Sequence, residues 1–376
     1  MRILWLTENY YPNKGGMAQS CDRIVYGLRS LAVYVDVIHF VRKPRRRPLH
    51  QLSYGRDLRW PLHDHPSHGL RTCWTWVSQQ DAYDVVVAFG CQYALIAAQT
   101  YAGWLGAKLV TMVRGNDFDT GVFDLKRRAL LKDVYESSAL VISVSQDKVE
   151  LIRSLFPKVE VTCIPNGIDL EQWQVLPSQK KQAQALVAQK PETRVCLGLF
   201  GQLKEKKGGG LFIDAVLKSG VAKRLHLLFV GEIPAEIQSK LSAHEDVLSF
   251  SVYPFMDRSQ LVPYYLSCDY VVIPSFYDGM PNVLLEAGAL AIPIIAANTG
   301  GMADVIEHEG SGLLFEPGNE RALSALLKRV VSEDHHIHQA WGKRLGQKIY
   351  QEFDSKFETQ AYQRCFKKLL VDNSSE

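Results

Sequence analysis

The chain has 376 residues, 47% of them hydrophobic and 22% charged, with a formal net charge of +3. That length exceeds what one core usually serves, so two domains are expected, and so small a charge excludes nucleic-acid binding by bulk electrostatics. No apolar run, including the start MRILWLTENYYP, approaches the roughly 18 residues of a membrane span, and the seven cysteines are scattered without a C-x-x-C pair, so a cytoplasmic protein without a disulfide framework is expected.

The first apolar run, Ile3 to Leu6, ends in the polar loop TENYYPNKGG. A helical pattern with Ile24, Leu28 and Leu31 on one face follows, then the β-branched run 33–40. Strand, glycine loop, helix and strand make a right-handed βαβ unit. Further strands are expected at 84–90, 108–115, 139–145 and 159–167, with helical stretches near 93–104 and 123–137. Near-continuous Val/Ile/Leu strands suit a parallel sheet covered on both faces.

Residues 170–191 change character, being rich in Gln and Lys, and read as a linker with a short polar helix. A second strand series then runs through 195–201, 225–231, 246–253, 269–275, 292–298 and 312–318. The pattern predicts an α/β chain of two doubly wound parallel-sheet domains: residues 1–170, a linker over 171–191, and residues 192–352. In such sheets ligands bind beyond the carboxyl ends of the strands, which places the expected site in a cleft between the domains. The last stretch, 353–370, has Phe357, Tyr362, Phe366 and Leu369 near one helical face.

The most informative segment is SFYDGMPNVLLEAGALAIP, 275–293. Asp278 and Gly279 end a strand-loop, Pro281 suits the first turn of a helix, and Leu284, Leu285 and Ala289 supply its buried stripe. Free amides of that first turn make Gly279, Met280, Pro281, Asn282 and Val283 an anion site. Glu286 follows within reach of a ribose attached to a bound diphosphate, and Asp278 stands on the loop before.

This segment resembles the acid motif of the retaining glycosyltransferases of family four (the group-one enzymes), with Asp278 where the family usually has Glu. Other segments resemble the family in order and spacing. KGGM (14–17) is similar to its glycine loop, IPNGID (164–169) to the signature ending its first domain, and GQLKEKKGG (201–209) to its phosphate loop. NTGGMADVI (298–306) and GSGLLFEPG (310–318) are similar to its paired glycine segments. Lys207 falls on the phosphate loop's lysine and Gln202 where an arginine is usual. That change removes one fixed charge, worth ~1–3 kcal/mol in a dry site.

The resemblance implies the GT-B fold: two Rossmann-like domains facing each other across a cleft, with a final helix (about 353–376) crossing back to the first. It implies a nucleotide-diphosphate sugar as donor, a hexose-type sugar transferred, and a glycan or lipid-linked acceptor. Glu286 then contacts the ribose, and Asp278 with the 279–282 backbone the sugar and phosphates. Lys207 and helix N-termini stabilise the departing diphosphate with no metal and no cofactor. Gly15 and Gly16 let the backbone approach the donor phosphate. In VRGND (113–117), Arg114 supplies charge and Asp117 a hydrogen bond to the acceptor.

Simpler readings stand beside these. Arg114 is also a candidate for a structural salt bridge, Asp117 for a helix cap, and Lys207 for a solvated charge. HDHPSH (63–68) reads as a polar loop rather than a metal site, and EDHHIH (333–338) as a helix surface. The run RKPRRRP (42–48) is either a solvated loop or a patch for an acidic acceptor or for anionic headgroups at a membrane's inner face. The aromatic residues Tyr54, Trp60, Trp74 and Trp76 are either acceptor contacts or packing. Sugar-nucleotide epimerisation and donor binding without catalysis are the alternative functions.

Overall fold

The computed structural model describes residues 1–42, 49–90, 92–189 and 195–371, so Cys91 and most of the basic run (43–48) lie outside the described residues. The chain divides into two compact units, Met1–Asn166 with Ser355–Glu376, and Gly167–Asp354.

The first unit holds β1 (Arg2–Thr7), β2 (Tyr34–Val41), β3 (Leu49–Leu52), β4 (Gly55–Pro61), β5 (Val85–Phe89), β6 (Lys108–Val113), β7 (Leu140–Ser143) and β8 (Val161–Cys163). Their order is β3-β4-β2-β1-β5-β6-β7-β8, parallel except for β3 against β4. β5 and β7 are buried at every residue, as a doubly covered sheet requires. One face packs under the helix Gln92–Leu105 through Ala94, Ala98 and Tyr101. The other face packs under Gly16–Ser30 and the final helix Ser355–Val371, whose Tyr362 and Phe366 are fully buried.

The second unit is β9 (Val195–Gln202), β10 (Leu225–Glu232), β11 (Ser249–Tyr253), β12 (Tyr270–Ile273), β13 (Ile294–Ala297) and β14 (Leu313–Phe315), ordered β11-β10-β9-β12-β13-β14 and parallel throughout.

Three features differ from expectation. The β3–β4 hairpin occupies a stretch where no strand is expected: β3 is wholly exposed, and β4 extends the sheet beyond β2 with only part of its residues buried. Gly55 permits it, because a Cβ there would lie 1.9 Å from the Val35 carbonyl at a φ of +123°. Residues 170–189 belong to the second unit rather than to a linker. Trp173 is buried with its ring edge-on to Tyr265, and Gln179 on the helix Pro177–Ala188 donates to the Ser259 carbonyl at 3.1 Å. His338, in a helix read as surface, is buried between Tyr270 and Trp341.

The aromatic residues near the hairpin resolve toward packing. Trp60 is buried and donates to the Gly69 carbonyl at 2.9 Å, and Trp74 and Trp76 pack against the core, while Tyr54 is exposed. Among the described residues no helix is long and apolar enough to cross a membrane.

Candidate functional site

In the second sheet the chain leaves β9 toward β10 and β11, then returns to β12 and runs the other way, so the strand order reverses between β9 and β12. Loops beyond the carboxyl ends of two such strands diverge and leave a crevice. The loops there are 201–208 and 274–281, which carry the two most specific motifs.

Glycines bring them together. Gly208 has φ +68°, and a Cβ on it would fall 2.0 Å from the Pro274 carbonyl, so only glycine lets the lysine loop lie against the acid loop. The Phe276 amide donates to the Lys206 carbonyl at 2.9 Å, and Lys207 donates to Asp278 Oδ2. Gly300, at φ +55°, lies so close to the Asp278 and Gly279 carbonyls that a Cβ would meet them at 2.1 and 2.5 Å, and the Gly301 amide donates to Gly279. Three stretches of chain, the lysine loop, the acid loop and Gly300–Gly301, therefore meet at Asp278.

The charge state of Asp278 follows from that convergence. Burial alone pushes its carboxyl up, but the Lys207 and Lys206 ammoniums, the Lys207 hydrogen bond and the Gly279 amide outweigh it and hold the pKa below the usual value. Asp278 is thus a fixed anion beside two cations. Lys206 also lies 5.4 Å from the Tyr277 ring centre.

Pro281 is the N-cap of the helix Asn282–Ala289, one position earlier than expected, and no side chain caps that end. Gly279, Met280 and Pro281 are buried while Asn282 and Val283 are half-buried. The Met280 side chain lies under Gly301, so this residue offers a ligand its backbone rather than its thioether. Glu286, one turn into the helix, accepts a 2.6 Å hydrogen bond from Tyr265 Oη. Tyr265 is fully buried, and its ring is stacked 3.8 Å from that of Phe200. Sequence reasoning missed Tyr265, which stands 21 positions from its partner. Gln202 donates to Glu232 at 2.8 Å, across the ends of β9 and β10.

The first unit has its own reversal, between β1 and β5. Gly15, at φ +109°, is the N-cap of the helix Gly16–Ser30, and no side chain caps it. The loop before it is tied down by Glu8, which accepts from the Tyr93 and Ala94 amides at 2.5 and 3.0 Å. Burial nonetheless raises the Glu8 pKa.

Arg114 and Asp117, the residues expected at the acceptor, make contacts within this unit. The Arg114 guanidinium is buried, donates to Asn166 Oδ1 and, at 3.1 Å, to Tyr362 Oη, and lies over the Phe89 ring. The Asp117 carboxylate accepts the Arg114 amide at 3.0 and 3.1 Å, which closes the turn after β6. Burial raises the Asp117 pKa against that amide and the Arg114 charge. Asn166, from the PNG motif, also accepts from Arg23, whose guanidinium pairs with Glu358 at 2.7 Å. The network joins the end of the first chain segment to the final helix.

Nearby, Lys148 pairs with Asp119 at 3.0 Å and with Asp147 at 2.8 Å. Among the described residues no group of three or more His, Cys, Asp or Glu is arranged to hold a metal ion.

Two family descriptions match the chain: glycosyltransferase family 4 over residues 14–172, and glycosyl transferases group 1 over residues 180–347. The chain belongs to the group 1, family 4 glycosyltransferases. It is 24% identical, over 95% of each chain, to the Bacillus subtilis protein TuaC, named for glycosyl transfer in teichuronic acid biosynthesis. It is 22% identical to the N-acetyl-alpha-D-glucosaminyl L-malate synthase of Bacillus anthracis, over 71% of this chain and 70% of that one. Among solved structures, sucrose-phosphate synthase of Thermosynechococcus elongatus superposes with a TM-score of 0.83 over 99% of this chain and 100% of that one, at 18% identity. HepE of Anabaena, solved with UDP and glucose, has a TM-score of 0.77 over 98% and 100%, also at 18% identity. This glycosyltransferase has the GT-B fold of those neighbours.

Proposed function

We propose that this enzyme transfers a hexose-type sugar from a nucleotide diphosphate to a glycan or lipid-linked acceptor, with retention at the anomeric carbon and without a metal or other cofactor. The observation that carries the reading is the ionised Asp278, held between Lys207 and the glycine loops, three residues before the uncapped Pro281 end of the helix that bears Glu286.

Each residue has a task in this scheme. Glu286, oriented by Tyr265, accepts a hydrogen bond from a ribose hydroxyl. The amides around Gly279 to Val283 face the diphosphate, and Lys207 neutralises charge that grows on it as the sugar departs. Asp278 accepts from a sugar hydroxyl, and Gly15 and Gly16 allow close backbone approach. Gln202, bonded to Glu232, lines the diphosphate end without adding charge. The bond from the anomeric carbon to the β-phosphate oxygen breaks, and the acceptor oxygen bonds that carbon on the same face. The acceptor's proton passes to the released phosphate. Arg114 and Asp117 act in this scheme as positioning residues. The solved complexes of HepE with UDP-glucose and with UDP and glucose support a nucleoside-diphosphate sugar as the donor class.

The test is calorimetric titration with UDP, GDP and ADP in EDTA. One nucleotide is expected to bind saturably, and Glu286→Ala to weaken it roughly ten- to hundredfold, the ~1.5–3 kcal/mol of a hydrogen bond to a charged group. Binding of none, or binding indifferent to Glu286, overturns the donor placement. Binding that appears only with an added divalent ion overturns metal independence.

A further inference from the structure

The most exposed large apolar side chains among the described residues are Phe123 and Leu125, at 89% and 84%. They flank Asp124, where the turn Gly121–Phe123 runs into the helix Leu125–Ser137. Their exposure is built into the local structure. Gly121 is buried against Leu131, and Asp124 turns inward to accept the Lys126 and Arg127 amides, both at 3.0 Å. With the turn anchored beneath and the aspartate capping the helix, the residues on either side of it point to solvent.

The helix continues the theme. Leu131, Val134 and Tyr135 form its buried stripe, while Leu125, Arg128, Ala129 and Lys132 fall at i, i+3, i+4 and i+7 on the opposite, exposed face. Lys126 and Arg127 are exposed beside them. Three cations in a helix's first turn oppose its macrodipole, and Arg128 and Lys132 repel each other at i, i+4. Among the described residues none of these four cations is in an ion pair. Local stability therefore does not account for this arrangement, in which apolar anchors sit beside a row of four cations that Asp124 offsets only in part.

We propose that Phe123, Leu125, Lys126, Arg127, Arg128 and Lys132 form a docking surface for an anionic lipid bilayer. The two apolar side chains enter the boundary between headgroups and acyl chains while the cations meet headgroup phosphates. A bilayer fits because both anchors are almost fully exposed at one turn, and each cation near an anionic surface strengthens binding by about fivefold. None of these residues is assigned a part in donor binding, so the two readings fail independently.

Flotation of the full chain with vesicles tests it, using phosphatidylcholine alone or with a one-quarter share of phosphatidylglycerol. Binding is expected only to the anionic vesicles. Phe123→Ser with Leu125→Ser, and separately Arg127→Gln with Arg128→Gln, should each lower it by about tenfold or more. Thermal melting and nucleotide titration of both variants should match the parent chain, because the altered residues are exposed and outside the donor loops. The proposal is overturned if the parent ignores anionic vesicles or binds neutral ones equally. It is also overturned if the Phe123/Leu125 variant floats like the parent, or if binding is lost only when Arg45, Arg46 and Arg47 are changed to glutamine.

Discussion

Each unit sets a lysine against an aspartate beyond the carboxyl ends of its strands, and the two pairs behave oppositely. In the first unit the Lys148 side chain is 3% exposed and its partner Asp119 11%. In the second the Lys207 side chain is 27% exposed and Asp278 13%. Burial raises the Asp119 pKa to about 6 despite Lys148, whereas Asp278 is held below its ordinary value by two lysines and an amide that outweigh its burial. A pair buried at both ends has nothing left to offer a ligand. The pair with an exposed cation and a surplus of positive charge keeps its carboxylate ionised and its lysine available. Similar sheets thus enclose one pairing and leave the lysine of the other open to a ligand.

The largest expected effect lies at the second pair. Lys207→Ala removes the cation assigned to the leaving diphosphate and should lower kcat by about 10²–10³-fold, the usual effect of deleting one preorganised electrostatic stabiliser. Unfolding midpoints should change little, because the side chain is partly exposed. Lys204→Ala, in the same loop but exposed, is the control and should leave kcat within a few-fold. Initial rates of nucleotide release with the donor named by titration measure both. Equal losses in the two variants would mean that the loop contributes diffuse charge rather than a placed one.

Arg114 sharpens the contrast from the other side. Replacing it with Met removes the guanidinium that donates to Tyr362 and one of the donors to Asn166, and should destabilise the chain by about 2–4 kcal/mol in denaturant unfolding. Nucleotide affinity should be unchanged. A variant of parental stability that no longer transfers sugar would return Arg114 to the acceptor, as its motif suggested.

Those motifs made part of this legible. β1, β5, β7, β9 and β12 are short, nearly continuous apolar runs, and the glycines and lysine of the phosphate loop mark backbone approach and charge within a few residues. The misses share a physical cause. β3 and β4 lie at an exposed edge, where strand residues need not be apolar, and the helix Pro177–Ala188 buries only Ala183, so neither segment shows a core pattern. The links Arg114–Tyr362 and Arg114–Asn166 span 248 and 52 positions, and local spacing carries no trace of such contacts. Arg114 therefore read as a ligand contact from its loop, although its partners lie in distant segments.

Tyr265 belongs to the same class. Tyr265→Phe deletes only the hydroxyl that orients Glu286 and keeps the stack on Phe200. Nucleotide binding should weaken roughly three- to tenfold, about 1 kcal/mol for one hydrogen bond and less than in Glu286→Ala. An effect equal to that of Glu286→Ala would mean that the carboxylate acts only when held by the tyrosine.

The last comparison tests Asp119 directly. Its carboxyl has an ordinary value of 3.8 and titrates at about 6 in the folded chain because burial disfavours the anion. The folded state thus holds its proton more tightly than the unfolded state does. The resulting stability is fully present below the ordinary value and is lost as pH rises through about 6. Between these limits the parent should lose about 1–3 kcal/mol from this group, and Asp119→Asn should flatten that fall. Urea unfolding of both chains from about pH 4 to about pH 7 reads the difference. If the parent instead shows no fall across this window and matches the variant, Lys148 holds Asp119 ionised as Lys207 holds Asp278. The two pairs would then differ only in the exposure of their lysines, and exposure rather than charge state would separate the first pair from the second.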